Sequence, residues 1–188
     1  EYFDPLVFEG DLIRLRKFYR EQGFFQSTVD TAIAEERDAG RVHLMFRIVE
    51  GRRSYIDTLE YVGLEGLPAV LLDEIRDDAL VRKGDPYIVE NVEQELRRIV
   101  SAFLNTGYGT VQVDPVRVRH YASTNNVAIR YVFHPGNRYR FGVVTVVQDS
   151  ASGRLISESI VRDHLDFREG DFFSEARKAE SERNLNRL

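Results

Sequence analysis

Residues 89–108 read VENVEQELRRIVSAFLNTGY, and residues 5–24 read PLVFEGDLIRLRKFYREQGF. Side by side they are one element written twice. Val92, Leu96, Ile99 and Phe103 fall at spacings of four, three and four, a single apolar stripe of helical period. Asn105-Thr106-Gly107 stops that helix, and Gly107 suits the left-handed position just past a helix end. In the earlier stretch Leu12, Leu15 and Tyr19 align with Leu96, Ile99 and Phe103, and Gly23-Phe24 returns as Gly107-Tyr108, 84 residues on. Phe3 returns as Tyr87 at the same step, and Gly84-Asp85-Pro86-Tyr87 returns as Gly170-Asp171-Phe172-Phe173, 86 residues on. A fixed period of this size marks a tandem array of small units. The copies also control one another: a residue present in both is architecture, and a residue present in one is free to be functional.

Working outward, the middle copy is complete. Tyr55 to Val62 is rich in aromatic and β-branched residues and closes at Gly63, which predicts a strand. Pro68 opens a helical pattern with Leu71, Leu72, Ile75 and Ala79, since proline is tolerated in a first helical turn. The 89–105 helix follows. Val111, Val113, Val116 and Val118 then predict a strand whose apolar parity switches across Pro115, a bulge or kink that belongs on a sheet edge. After a turn at Ser123-Thr124-Asn125-Asn126, Val127, Ile129, Tyr131 and Phe133 share one face of a last strand. The unit is βααββ, an α+β architecture in which two helices cover one face of a three-stranded mixed sheet.

The first copy holds only the second helix and the last two strands, with Val29 and Ile33, then Val42, Leu44, Phe46 and Ile48 on one face before Glu50-Gly51. The third supplies the other half: a strand with Phe141, Val144 and Val146, a helix with Ile156, Ile160 and Val161, and a second helix from Phe173 onward. The expected domains are a partial unit at 1–54, a complete unit at 55–136 and a partial unit at 137–188. The two partial units are complementary, so copies of the chain could pair end to end. Glu1 is not a methionine and no signal-peptide pattern follows, so both ends read as internal to something longer.

Composition is that of an ordinary globular chain, 43% hydrophobic and 30% charged. Its net charge of −5, with both signs well mixed, argues against nucleic acid as the partner. Zero cysteines exclude disulfides and thiolate metal sites.

Tyr19…Gly23-Phe24-Phe25, the strand ending Val49-Glu50-Gly51, Ile56-x-x-Leu59 and Gly63 resemble the polypeptide-transport-associated (POTRA) repeat. So do Phe103…Gly107-Tyr108 and the run from His134-Pro135-Gly136 to Phe141-x-x-Val144. The resemblance is to the outer-membrane β-barrel assembly family of the BamA and TamA type, and covers essentially the whole chain. His134-Pro135-Gly136 departs from the usual Glu-Gly ending, and Gln148-Asp149-Ser150 from the expected glycine after strand 1.

The resemblance implies a non-catalytic scaffold at the periplasmic face of the outer membrane in a Gram-negative type envelope. It implies unfolded outer-membrane proteins as clients, accessory lipoproteins or periplasmic chaperones as partners, and a membrane β-barrel C-terminal to this region. A POTRA-type module of a two-partner secretion or cell-division protein is the first alternative, and a small-ligand-binding α+β domain the second.

No catalytic constellation assembles, and no cofactor or metal motif is present. His43, His120, His134 and His164 lack ligand spacing. Asp163, His164, Asp166, Glu169 and Asp171 are the nearest to an acidic cluster, but Asp77, Asp78 and Asp85 recur in the middle copy, which makes most of it the polar end of a helix. A three-stranded sheet does offer an unpaired edge that an extended peptide can join. The resemblance implies that the second strand is this edge, at Phe25 to Ile33 and at Val111, Gln112, Val113, Val116, Arg117 and Val118. The second candidate surface is the joint between units, beside Arg52, Arg53, Arg138 and Arg140: ion pairs from them could fix the angle, but exposed pairs are weak and solvated linker charge is the default reading.

Overall fold

A computed structural model of the chain describes residues 4–36, 41–147 and 157–188, with side chains throughout except at 32–36 and 41. The elements are α1 (Pro5–Glu21), β1 (Thr28–Glu36), β2 (Arg41–Val49), β3 (Tyr55–Val62), α2 (Ala69–Asp77), α3 (Val89–Asn105), β4 (Gln112–Val113), β5 (Arg117–Tyr121), β6 (Asn126–His134), α4 (Glu158–Asp163) and α5 (Glu175–Leu185). The fold is α+β with a mixed sheet. β1 and β2 form an antiparallel pair from Thr28↔Val49 to Glu36↔Arg41. A second sheet runs β3-β6-β4, with β5 also on β6.

The expected single second strand is two pieces. Val113 faces Phe133 while Arg117 faces Arg130, so four steps on one strand answer three on the other. Asp114 N–H still donates to Val132 O at 3.1 Å, which puts the extra residue of this bulge at Pro115-Val116. Pro115 has no N–H to give the ladder, so the register slips where the apolar parity switches.

By contact the chain divides into two compact units: Glu1–Glu60 with Leu80–Glu95 and Val116–Arg130, and Tyr61–Ala79 with Leu96–Pro115 and Tyr131–Leu188. Each gathers one joint between successive repeats. In the first, Asp4 caps α1 by accepting from Leu6 N (2.9 Å) and Val7 N, with Pro5 filling the first helical position. Its core is Ile56, Val81, Tyr87, Val92, Val127 and Ile129. Glu95, fully buried, accepts the Leu80 N–H at 3.0 Å. In the second, Leu71, Ile75, Ile99, Phe103, Tyr131 and Phe133 are buried, each such side chain worth about 1.5–3 kcal/mol. Tyr61 stacks on Tyr131 at 5.3 Å, and Phe103 packs on Phe133 at 5.5 Å.

Two expectations are corrected. The α1 stripe of Leu12, Leu15 and Tyr19 is only half-buried, and Leu44, Phe46 and Ile48 on β2 remain 38–46% exposed. Among the described residues of 1–54 there is no counterpart of β3 or α2 to cover that face. Residues 141–147 form no strand; among the described residues, the neighbouring contact is one isolated bridge, Arg140↔Phe172. Within residues 157–188 no strand follows to pair with them. Ile156 and Gln148-Asp149-Ser150 lie outside the described residues.

The third copy nevertheless repeats the second bond for bond. Ile56 N–H donates to Asp85 O and Phe141 N–H to Asp171 O, both at 2.9 Å. Gly84 N–H donates to Ile56 O, and Gly170 N–H to Phe141 O. Asp85 and Asp171 each accept, through a side-chain oxygen, the N–H three residues back, at Arg82 and Arg168. Asp171 is thus accounted for as a turn residue.

Candidate functional site

The strand edge and the joints can be built from their residues. β6 lies between β3 and β4–β5, and among the described residues no further strand pairs with β4 or β5. Of the predicted edge residues, Gln112 and Val113 are in β4, Arg117 and Val118 in β5, Val116 in the bulge, and Val111 just before β4. Arg117 sits directly across from Arg130, a like-charge pairing that strands resist. Glu60, 3.3 Å from Arg130, relieves it from β3. In the first copy β1 begins at Thr28, so Phe25 is not part of that edge.

Phe25 belongs to the first joint. Its ring stacks on His120 at 4.3 Å and packs on Tyr87 at 5.3 Å. His120 Nε2 meets Asn125 Oδ1 at 2.9 Å, and Ser54 Oγ donates to the same oxygen at 2.9 Å. Asn125 Nδ2 donates in turn to Arg52 O at 2.9 Å and Arg53 O at 3.2 Å. Those two carbonyls fix the amide, so Oδ1 is the acceptor and His120 Nε2 is the donor. Asn125 is 5% exposed and left-handed, at φ 57°, a conformation asparagine tolerates better than most residues. The turn was legible in the sequence; the role of Asn125 as the buried hub of a joint was not, because Arg52, Arg53 and Ser54 lie 71 to 73 residues away.

The two joints share one construction. Ser54 N–H donates to Gly23 O at 2.9 Å, and Tyr139 N–H to Gly107 O at 2.8 Å. Arg53 Nε donates to Gln22 O at 3.2 Å, and Arg138 Nε to Thr106 O at 2.8 Å. Each guanidinium also lies over the aromatic after the glycine, Phe24 at 5.5 Å and Tyr108 at 5.9 Å. Tyr87 N–H closes onto Ser54 O, and Phe173 N–H onto Tyr139 O, both at 3.0 Å. Arg138 and Arg140 sandwich Phe172 at 3.3 and 3.7 Å, and Arg140 donates to Gly170 O. These arginines work through carbonyl and ring contacts in place of the ion pairs open to them. Arg52 contributes its carbonyl, and among the described residues its side chain has no hydrogen-bond partner.

Burial holds the Tyr87 hydroxyl above its usual pKa of 10.0, aided by the charges of Glu21 and Glu93. His134 pairs with Asp114 at 3.1 Å, and His164 Nδ1 meets Ile160 O at 2.7 Å. No grouping of three or more metal-ligating side chains occurs among the described residues.

The POTRA family, described as surface antigen variable number repeat, matches residues 1–51 and 56–136. The chain belongs to the POTRA family. The two POTRA matches leave residues 52–55 between them, where Arg53 and Ser54 build the first joint. Among curated proteins the POTRA chain is similar to a provisionally named outer membrane protein assembly factor of Treponema pallidum, 23% identical over 78% of this chain and 18% of the relative. It is also similar to the outer membrane protein assembly factor BamA of Nitratidesulfovibrio vulgaris, 24% identical over 71% of this chain and 17% of that protein. The chain thus spans under a fifth of the length of these relatives. Among solved structures, POTRA domains 3–5 of Haemophilus influenzae BamA align with a TM-score of 0.56 at 18% identity, over 96% of this chain and 68% of that one. That likeness concerns the fold.

Proposed function

We propose that this chain is part of the periplasmic POTRA arm of an outer-membrane protein assembly or translocation factor, with repeat units at 1–54, 55–136 and 137–188. It acts without catalysis. Unfolded outer-membrane proteins add as strands to the β4–β5 edge, and accessory lipoproteins or periplasmic chaperones dock elsewhere on the arm. A membrane β-barrel follows in the full protein. The observation that carries this reading is the position of β4–β5 at the end of the β3-β6-β4 order, where one side of its backbone has no strand partner among the described residues. Main-chain pairing places little demand on client sequence, which suits a factor that handles many different chains. The family match and the names of the curated relatives support the setting.

Photo-crosslinkers at Gln112 and Arg117, with a control at Gln94 on α3, test it against unfolded barrel-protein peptides. Crosslinks from the strand positions are expected. Crosslinks confined to Gln94 would rule the edge out.

A further inference from the structure

Each unit contains a groove at its joint, and the two grooves occupy the same place in the repeat. The first, about 530 Å³, is lined by Phe25, Tyr87 and Val118 together with Ile13 and the charged residues of α1. The second, about 540 Å³, is lined by the matching part of α3. At the 84-residue step the helices correspond residue for residue, and their chemistry differs. Arg16, Lys17 and Arg20 on the first stand where Val100, Ser101 and Leu104 stand on the second, while Ile13 and Glu21 match Arg97 and Asn105.

The joint does not require Lys17 and Arg20, since the sister helix forms the same joint with Ser101 and Leu104 in their places. Arg16 has a structural task, donating to Val29 O at 3.1 Å. Lys17 lies 3.5 Å from Glu21 with both side chains well exposed, a pairing of little energetic weight. The Arg20 guanidinium stands 6.0 Å from the Phe25 ring. A chain of net charge −5 therefore places three cations and one carboxylate around an apolar, aromatic lining.

We infer that this first-joint groove binds an acidic, extended peptide segment anchored by an apolar or aromatic side chain. A volume of this size holds one or two side chains, not a folded domain. The cations complement carboxylates flanking the anchor and raise both encounter rate and selectivity. A concave site with an aromatic lining suits a side chain better than a lipid headgroup, which needs cations on an outward surface. The inference rests on reading the chain as a peptide-handling arm, but not on the β4–β5 edge.

The test uses the 188-residue chain and two fluorescein-labelled probes, one with phenylalanine and valines separated by glutamates, the other with lysines in their place. Anisotropy is expected to show the acidic probe binding at least about tenfold tighter in low salt, with the preference shrinking as sodium chloride is raised. The double variant Lys17→Ser, Arg20→Leu carries the sister helix's residues, so its fold is expected to hold, with circular dichroism as the check. It should lose the preference. The reciprocal Ser101→Lys, Leu104→Arg pair should create one at the second groove.

Equal binding of both probes, or an undiminished preference in Lys17→Ser, Arg20→Leu, overturns the inference. So does binding of phosphatidylglycerol vesicles that this variant loses while the acidic probe shows no preference. Crosslinking at Gln112 in the same variant separates the two readings. Retained crosslinks with a lost acidic preference support both, whereas absent crosslinks in the unaltered chain count against the edge alone.

Discussion

At the scale of single residues, glycines of the same backbone conformation are under different constraints. Gly23 and Gly84 have φ of +88° and +94°, yet a Cβ on Gly23 would meet Tyr87 O at 2.6 Å, while one on Gly84 meets nothing within 4 Å. Gly84→Ala should therefore cost about 1 kcal/mol, the penalty of a left-handed residue, and Gly23→Ala about 2–4 kcal/mol, with urea unfolding as the measurement. Asn125→Ala removes four hydrogen bonds from a buried hub, and a loss of about 2–4 kcal/mol is expected in the same assay. Tyr87 supplies a pH signature. Its folded pKa lies above the unfolded value of 10.0, so its neutral form contributes stability that is fully present below pH 10.0 and is lost as pH rises through the folded pKa. Thermal melts from pH 9 to 11.5 should show this fall, and Tyr87→Phe should flatten it in part.

At the scale of elements, most of the architecture was legible because it is local. The stripe of α3, the aromatic run of β3 and the alternation of β6 each lie within one window of sequence, and α3 and β6 recur as α1 and β2. What escaped was long-range. Glu95 sits on the buried stripe of α3 and reads as a flaw until the Leu80 N–H it accepts is in view; Ser181 accepts the Asp166 N–H at the corresponding place in the third copy. The arginines at the joints stood out by position, but sequence does not reveal which carbonyl or ring a guanidinium will find. The bulge was visible as a parity switch at Pro115, and it suggests a direct test. Deleting Pro115 removes the extra residue and merges β4 and β5 into one continuous ladder. A longer, flatter edge should self-associate, so light scattering is expected to show higher mass than for the unaltered chain. An unchanged mass would mean that the bulge does not guard the edge.

At the scale of the whole molecule, β2 leaves an apolar face partly open. Phe46 is 46% exposed and meets Phe8 at 5.7 Å, with Leu44 and Ile48 beside it. Such a face should bind a hydrophobic dye, and Phe46→Ser should weaken the signal. If copies of the chain pair end to end through residues 137–188, sedimentation will show mass rising with concentration, and the same substitution will lower it. The bulge also bears on time. A guest strand laid along this edge meets a register slip between a two-residue and a five-residue ladder, so it cannot zip along the full length. Affinity differences reside mainly in dissociation rates. If the edge takes guest strands as proposed, a break of this kind shortens their residence, where an unbroken strand of the same length would hold them longer.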